Sequence, residues 1–330
     1  LMPGLARTLG QVPVHYYKEL EQWVPADATM LTPPRKPGEP FASNSGRWNM
    51  LCMQCHATHS RTLPQSDTPP PVFDSQVAEF GISCEACHGP GRDHIDFHRG
   101  PPQRDGQDPI VNPAKLSSQR SAQVCGSCHS YTIEATNELA VWEMSNGKRY
   151  RPGDALHETH PLVQHNAKTA EFLRRTGVVQ NPQEVEKFMS ERFWSDGVAM
   201  ASGREYNALH DSKCFEKISC VSCHQMHQAS DDSRPRKEWA DDQLQPGMQT
   251  NAACVSCHEK NSQQVAYASP QHTHHADASS GSLCINCHMP HTSYALLKTS
   301  RNHKIESPSV QTSLATGRPN ACNLCHLDKT

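Results

Sequence analysis

The chain has 330 residues, of which 35% are hydrophobic and 6% aromatic, and it contains 25 prolines and 18 glycines. A chain of this length would suit two or three domains, but this composition supplies only a thin core of protein side chains. Lys and Arg number 31 against 34 Asp and Glu, a net charge of −3, so the charge balance points to no nucleic-acid partner.

The first 51 residues form a segment without a binding motif. Its stretch VHYYKELEQWV, residues 14 to 24, is predicted to form a short amphipathic helix that Pro25 ends. His15 falls within this stretch, and a surface or packed position is favoured for it over metal ligation.

A five-residue unit, Cys-x-x-Cys-His, occurs seven times in the rest of the chain. Two thiols three positions apart can each bond to one vinyl group of a haem, and the adjoining imidazole then lies under the iron as its proximal ligand. Zinc ribbons and disulfides also use paired cysteines, but neither requires a histidine directly after every pair. The units therefore predict seven covalently bound haem c groups.

We number the predicted haem sites 1 to 7 in chain order. Their cysteines are Cys52 and Cys55, Cys84 and Cys87, Cys125 and Cys128, Cys220 and Cys223, Cys254 and Cys257, Cys284 and Cys287, and Cys322 and Cys325. Their proximal histidines are His56, His88, His129, His224, His258, His288 and His326. The fifteenth cysteine, Cys214, lies outside the units and is assigned no role.

The spacing of the units divides the chain. Successive units start 32, 41, 95, 34, 30 and 38 residues apart. This predicts a haem-poor segment (1–51), a three-haem part (52–130), a helical haem-poor insert (131–219) and a four-haem part (220–330). In the insert, helices are predicted over Lys168–Thr176 and Gln183–Arg192, the second opened by Asn181 and Pro182.

The expected fold is a multihaem cytochrome c fold, mainly α with much irregular loop and little β, with the haem stack as its core. The short spacing leaves room for only a turn or a short helix between units, so neighbouring haems must lie close together. Without haem, the chain is expected to be largely unfolded.

Fourteen histidines remain after the proximal ones, which is enough to supply every iron with a sixth ligand. Methionine is the alternative, but Met/His ligation raises the potential and methionine is more often packing filler. The distal candidates lie just after a unit, just before site 6, or between sites 6 and 7. They are His94, His227, His272, His274, His275, His291 and His303.

Several longer stretches carry a resemblance beyond the units themselves. They are GISCEACHGPGRDH, IVNPAKLSSQRSAQVCGSCHS, YRPGD, SCVSCHQMH, HTHHADASSGSLCINCHMPHTSYALLK, NHKIESPSV and GRPNACNLCHLDKT. These resemble the bacterial multihaem cytochromes of the cytochrome c554-related, doubled-CxxCH group. The resemblance implies exported electron carriers with a helix-and-loop fold and closely packed bis-His haems, and it supports the distal candidates given above.

The function expected from the sequence is electron transport along these haems, as a single carrier, a subunit of an extracellular conductive filament, or part of a larger electron-transfer complex. The alternative is a reductase or oxidase of small nitrogen or sulfur compounds with one open haem. Haem attachment to such units takes place outside the bacterial cytoplasm, so the chain is expected in the periplasm or outside the cell. Partners are expected to be redox proteins or copies of itself, and no apolar run reaches the length of a membrane span.

Overall fold

The computed structural model describes residues 8–10, 12–29, 46–66, 72–100, 106–260 and 263–327. Within these ranges the chain consists of short helices joined by loops, with a few strands of two to four residues and no closed sheet. The expected fold class, mainly helix and irregular loop, is confirmed.

The helices of the described ranges run from four to ten residues. They are α1 (Met53–His56), α2 (Cys84–His88), α3 (Arg92–Arg99), α4 (Ser118–Gly126), α5 (Asn137–Asn146), α6 (Leu156–Thr159), α7 (Ala167–Arg175), α8 (Pro182–Ser190), α9 (Glu205–His210), α10 (Arg236–Asp242), α11 (Ala252–Val255), α12 (Pro270–Thr273), α13 (Cys284–His288) and α14 (Val310–Thr316). Single turns of 3₁₀ helix cover Ala26–Thr29, Pro113–Lys115, Cys220–Ser222 and Ser280–Ser282, and a π turn covers Trp48–Cys52.

The strands form four separate antiparallel pairs. They are β1 (Val14–Tyr17) with β2 (Gln22–Pro25), β3 (Ala57–Thr58) with β6 (Glu79–Phe80), β4 (Pro64–Ser66) with β5 (Val72–Phe73), and β7 (Ser293–Ala295) with β8 (Lys298–Ser300). None of these two-stranded pairs is large enough to form a core.

The helix predicted for residues 14 to 24 is wrong, because β1 and β2 form a hairpin there. Both arms contain aromatic or β-branched residues, which favour strands, and Tyr16 lies opposite Trp23 with their ring centres 5.3 Å apart. Glu21 adopts a left-handed backbone (φ 51°) in the turn, which a continuous helix would not allow.

The haem-poor insert contains a core made of protein side chains. Its two predicted helices are confirmed as α7 and α8, and the Asn181 side chain caps α8 by accepting a hydrogen bond from the Glu184 backbone N–H. The buried residues of this core are Val163, Leu173, Val179, Met189, Phe193 and Ala199. A second cluster joins the insert to α4 and consists of Ala122, Tyr150, Leu156, Tyr206 and Leu209.

A buried arginine links residues 220–330, the predicted four-haem part, to residues 131–219, the predicted insert. Arg318 donates to Asp196 at 2.8 Å and to Glu306 at 2.6 Å, and it is almost fully shielded from solvent. The Glu306 backbone carbonyl in turn accepts a hydrogen bond from the His288 ring. The insert thereby fixes the segment that orients the proximal histidine of site 6.

Candidate haem sites

Each Cys-x-x-Cys-His unit folds as a helical turn. At sites 3, 4, 5 and 7 the histidine N–H donates to the carbonyl of the first cysteine at 2.8 to 2.9 Å, and at sites 2 and 6 the whole unit is a helix. A turn of this kind places both thiols and the imidazole on one side of the backbone, as attachment to one haem requires.

All fifteen cysteines lie in the described ranges, and all are free of disulfides. Fourteen thiols are therefore available for thioether bonds. Cys214 is half-buried, and its backbone N–H donates a hydrogen bond to Ser212 Oγ.

Three proximal histidines have the ring orientation that iron ligation needs. Nδ1 of His88 donates to the carbonyl of Val111 at 2.7 Å, Nδ1 of His224 to that of Asp242 at 2.8 Å, and Nδ1 of His288 to that of Glu306 at 3.0 Å. A metal-bound histidine commonly donates its second ring nitrogen in this way, which fixes the tautomer and directs Nε2 at the metal.

Four proximal histidines face a second imidazole. The ring centres are 6.1 Å apart for His88 and His227, 6.2 Å for His224 and His303, 6.4 Å for His288 and His272, and 5.9 Å for His326 and His275. Two imidazoles bound through nitrogen to one metal ion have ring centres about 6 Å apart, because each metal–nitrogen bond is about 2 Å long. The four separations fit bis-His ligation at sites 2, 4, 6 and 7.

Two of the facing histidines also have Nδ1 engaged. His275 uses it for the carbonyl of Thr273 at 2.6 Å, and His303 for the carbonyl of Arg301 at 3.1 Å. Both rings therefore keep Nε2 for iron. Burial lowers the pKa of His303, which favours the neutral imidazole that binds metal.

The other distal candidates lie differently. His94 donates from Nδ1 to Asp108 at 2.8 Å, and the same carboxylate bonds to Nε2 of His98. His291 is exposed, with Nδ1 at 3.3 Å from the carbonyl of Thr299. His274 is exposed at the end of α12 with a left-handed backbone (φ 57°). The structure brings none of these three rings against a proximal histidine.

Two further histidines have their Nε2 atoms engaged with carboxylates. His160, 4% exposed, bonds through Nε2 to Glu143 at 3.1 Å and through Nδ1 to the hydroxyl of Thr159. His59 bonds through Nε2 to Glu85 at 3.3 Å. In both rings Nε2 is therefore bonded to a carboxylate.

Sites 1, 3 and 5 lack a facing imidazole. All 21 histidines of the chain lie in the described ranges, yet the ring contacts there pair His56, His129 and His258 with no second histidine. His258 contacts Tyr267 instead, edge to face with ring centres 5.9 Å apart. Tyr267 also contacts His272, so one aromatic ring adjoins the ligands of sites 5 and 6.

His129 of site 3 also has an unusual Nδ1 partner. Its Nδ1 lies 2.9 Å from Oε2 of Glu205, and this hydrogen bond raises the pKa of the imidazole. Burial acts to raise the pKa of the Glu205 carboxyl, but the hydrogen bonds from His129 and from backbone amides lower it to about 2. Sequence reasoning missed Glu205, which lies 76 positions from His129.

Thiols of different sites lie in contact. Cys55 Sγ lies 3.9 Å from the Cys128 carbonyl, and a hydrogen bond between their thiols raises the pKa of Cys55 and lowers that of Cys128 to about 5. A hydrogen bond to Cys220 likewise raises the pKa of Cys125. Burial, then the charge of Cys284, raises the pKa of Cys254 to about 11. Sites 1 and 3, sites 3 and 4, and sites 5 and 6 are therefore neighbours.

Apolar side chains beside the units also fit haem. Leu51 before site 1, Ile82 before site 2, and Leu324 and Leu327 at site 7 are all exposed in the protein chain. A porphyrin face is apolar, so these side chains are suited to pack against a haem attached at the adjoining unit. The free thiols and the paired imidazoles are the groups that bond to haem c, and together with these apolar side chains they fit covalently bound haem.

No protein-family model matches the chain. The multiheme cytochrome MtrA of Shewanella baltica (strain OS185) is 24% identical over 215 residues, which make up 63% of this chain and 51% of MtrA. The chain thus spans about half the length of this curated relative.

The fold is similar to that in the crystal structure of the outer cell wall cytochrome OcwA. The TM-score is 0.53 at 17% identity, covering 97% of this chain and 66% of OcwA. An undecaheme cytochrome from the S-layer of Carboxydothermus ferrireducens gives a TM-score of 0.38 at 17% identity, covering 96% of this chain and 47% of that one.

The repeated units, the helix-and-loop fold and these similarities define a bacterial multihaem c-type cytochrome that binds haem c covalently. Assignment to the c554-related group stays a prediction. Within the described ranges, no helix is both long enough and apolar enough to cross a membrane.

Proposed function

We propose that the chain carries seven haem c groups and passes electrons from one to the next. The observation that carries this proposal is the set of thiol contacts between sites, Cys55 with Cys128, Cys125 with Cys220, and Cys254 with Cys284. Each of these sulfur atoms is the bonding point of a haem edge, so haems attached there lie edge to edge, and short separations favour electron transfer.

The ligand pairs support the rest of the relay. His224 is the proximal ligand proposed for site 4, and His227, three positions on, faces site 2. His272 and His275 similarly face sites 6 and 7. Ligands so close in sequence keep their two haems close in space. The charge of Cys223 of site 4 acts on Cys254 of site 5, and the charges of Cys125 and Cys128 of site 3 act on Cys87 of site 2. The proposed row therefore runs through sites 1, 3, 4, 5, 6 and 7, with site 2 beside sites 3 and 4.

The proposed location is the periplasm or the outside of the cell, where haem is attached to these units. The name of the similar solved structure, an outer cell wall cytochrome, supports an exported chain. The proposed partners are redox proteins or further copies of this chain. Size measurement of the purified holoprotein over a range of concentrations tests assembly, since a filament grows with concentration and a single carrier does not.

Intact mass spectrometry of the denatured holoprotein tests the haem count, because thioether bonds survive denaturation. The mass expected is that of the polypeptide plus seven haems. Peptide mapping then assigns each haem to its unit. A mass with fewer than seven haems, with a unit left as free thiols, would contradict the proposal.

A second candidate function rests on sites 1, 3 and 5, whose proximal histidines face no second imidazole in the described ranges. An iron without a sixth protein ligand can bind nitrite or hydroxylamine, as a reductase or oxidase requires. Low-temperature EPR of the oxidised holoprotein tests this before and after each compound is added. A high-spin signal that shifts supports catalysis, whereas seven unchanged low-spin haems exclude it.

A further inference from the structure

We propose that Glu205 is a positioning residue that acts through His129 and makes the haem of site 3 the hardest of the row to reduce. This inference rests on haem attachment at site 3, as proposed above, and adds to it a distinct electronic role for one haem. It is carried by the contacts of Glu205 and by their contrast with the other proximal sites.

Both oxygens of the Glu205 carboxylate are held in place. Oε2 accepts from Nδ1 of His129 at 2.9 Å, and Oε1 accepts from the backbone N–H of Gly203 at 2.8 Å. The neighbouring backbone N–H of Tyr206 donates to the carbonyl of His129 at 3.0 Å. Glu205 and His129 are thus joined through side chain and backbone together, so the carboxylate cannot easily turn away.

A glycine inside the haem unit allows this approach. Gly126 is the only glycine within the seven units, and a Cβ at that position would lie 2.6 Å from the ring of Tyr206. Helix α9, which begins at Glu205, therefore packs directly on the backbone of site 3. Any larger residue at position 126 would push α9 and its carboxylate outward.

The other described Nδ1 partners of proximal histidines are neutral. His88, His224 and His288 each donate to a backbone carbonyl, whereas His129 donates to a carboxylate. A carboxylate draws the ring proton more strongly and makes the imidazole a more basic ligand. A more basic ligand stabilises Fe(III) over Fe(II), and the negative charge nearby acts in the same direction.

Site 3 lies where the first haem sites of the chain meet the later ones, so a low potential there affects the whole row. Its two cysteines contact Cys55 of site 1 and Cys220 of site 4, so site 3 joins the first haems of the chain to the later ones. A haem that is reduced last at this junction keeps electrons from resting there. Electrons then remain on the haems on either side of site 3, and the haem of site 3 is reduced only briefly as they pass.

The variant Glu205→Gln tests the inference in the holoprotein. Gln keeps an oxygen that accepts from Nδ1 but removes the charge, which turns the partner of His129 into the neutral kind found at sites 2, 4 and 6. In a potentiometric titration followed by EPR, one of the seven one-electron transitions is expected to move to higher potential. The EPR signal of that same haem is expected to shift as its axial ligand becomes less basic.

The matched control is Glu85→Gln, which removes one charge inside the unit of site 2 without touching a proximal Nδ1, since His88 donates to Val111. An equal potential shift in both variants with no change in the EPR signal would mean a charge effect alone and would overturn the inference. No shift in Glu205→Gln would overturn it as well.

The wild-type protein gives a second test that requires no variant to fold. The last haem to be reduced is expected to show the EPR signal of the most basic axial imidazole, and a last-reduced haem with an ordinary signal would contradict the role of Glu205. Intact mass separates this outcome from failure of the relay proposal, because a missing haem at site 3 lowers the mass whereas a missing role for Glu205 does not.

Discussion

At the scale of single residues, the hydrogen bonds of a histidine's ring nitrogens indicate whether that ring is placed to bind iron. His275 and His274 are adjacent in sequence, yet His275 donates from Nδ1 to a carbonyl and faces His326, whereas His274 is exposed at a helix end. Chain position alone cannot distinguish these two rings. The hydrogen bond on Nδ1 does, because it decides whether Nε2 is directed at an iron.

Replacement of His275 by Met tests this distinction. Met/His ligation raises the potential of a haem relative to bis-His, so one transition in the potentiometric titration of His275→Met is expected to move up. The matched control His274→Met makes the same chemical change one residue away and is expected to leave all transitions in place. A shift in the control, or none in His275→Met, would reassign the distal ligand of site 7.

At the scale of elements, the insert differs from the rest of the described chain because it packs by side chains. Leu173 on α7 is completely buried among Val179, Met189 and Phe193. The haem units, by contrast, leave apolar side chains such as Leu51 and Ile82 exposed in the protein chain. We therefore expect residues 131–219 to be stabilised by their own core and the units to be stabilised by haem.

Truncation of Leu173 to Ala is expected to lower the free energy of unfolding by about 2–5 kcal/mol, the usual cost of a buried leucine. Leu20→Ala, the same change at a side chain 56% exposed in the β1–β2 turn, is expected to cost less than about 0.5 kcal/mol. Denaturant unfolding of both holoproteins, followed by far-UV circular dichroism, measures the difference. Equal losses in the two variants would contradict a core at Leu173.

The sequence predicted elements well where local chemistry decides them. Asn181 and Pro182 fixed the start of α8 because capping is a local effect. The helix prediction for residues 14 to 24 failed because their apolar pattern suits a helix, whereas the Tyr16–Trp23 contact and the turn at Glu21 favour a hairpin. Cross-strand contacts of this kind cannot be read from helical spacing.

At the scale of the whole molecule, the spacing of the units predicted where haems attach but not which sites are neighbours. Sites 1 and 3 are in contact although site 2 lies between them in sequence, and Cys125 reaches Cys220 across the whole insert. The partnership of Glu205 with His129 is of the same kind. Such contacts depend on how residues 131–219 fold, because that fold brings distant parts of the chain together. No local pattern in the sequence predicts it.

The most direct test of the proposed relay is the position of the irons, measured by anomalous X-ray scattering at the iron edge from crystals of the holoprotein. Seven peaks are expected. Six form one continuous row, with site 3 adjoining sites 1 and 4 and site 6 adjoining sites 5 and 7, and the peak of site 2 lies beside those of sites 3 and 4. Fewer than seven peaks, or a gap that isolates the first three irons from the last four, would contradict an electron relay through this chain.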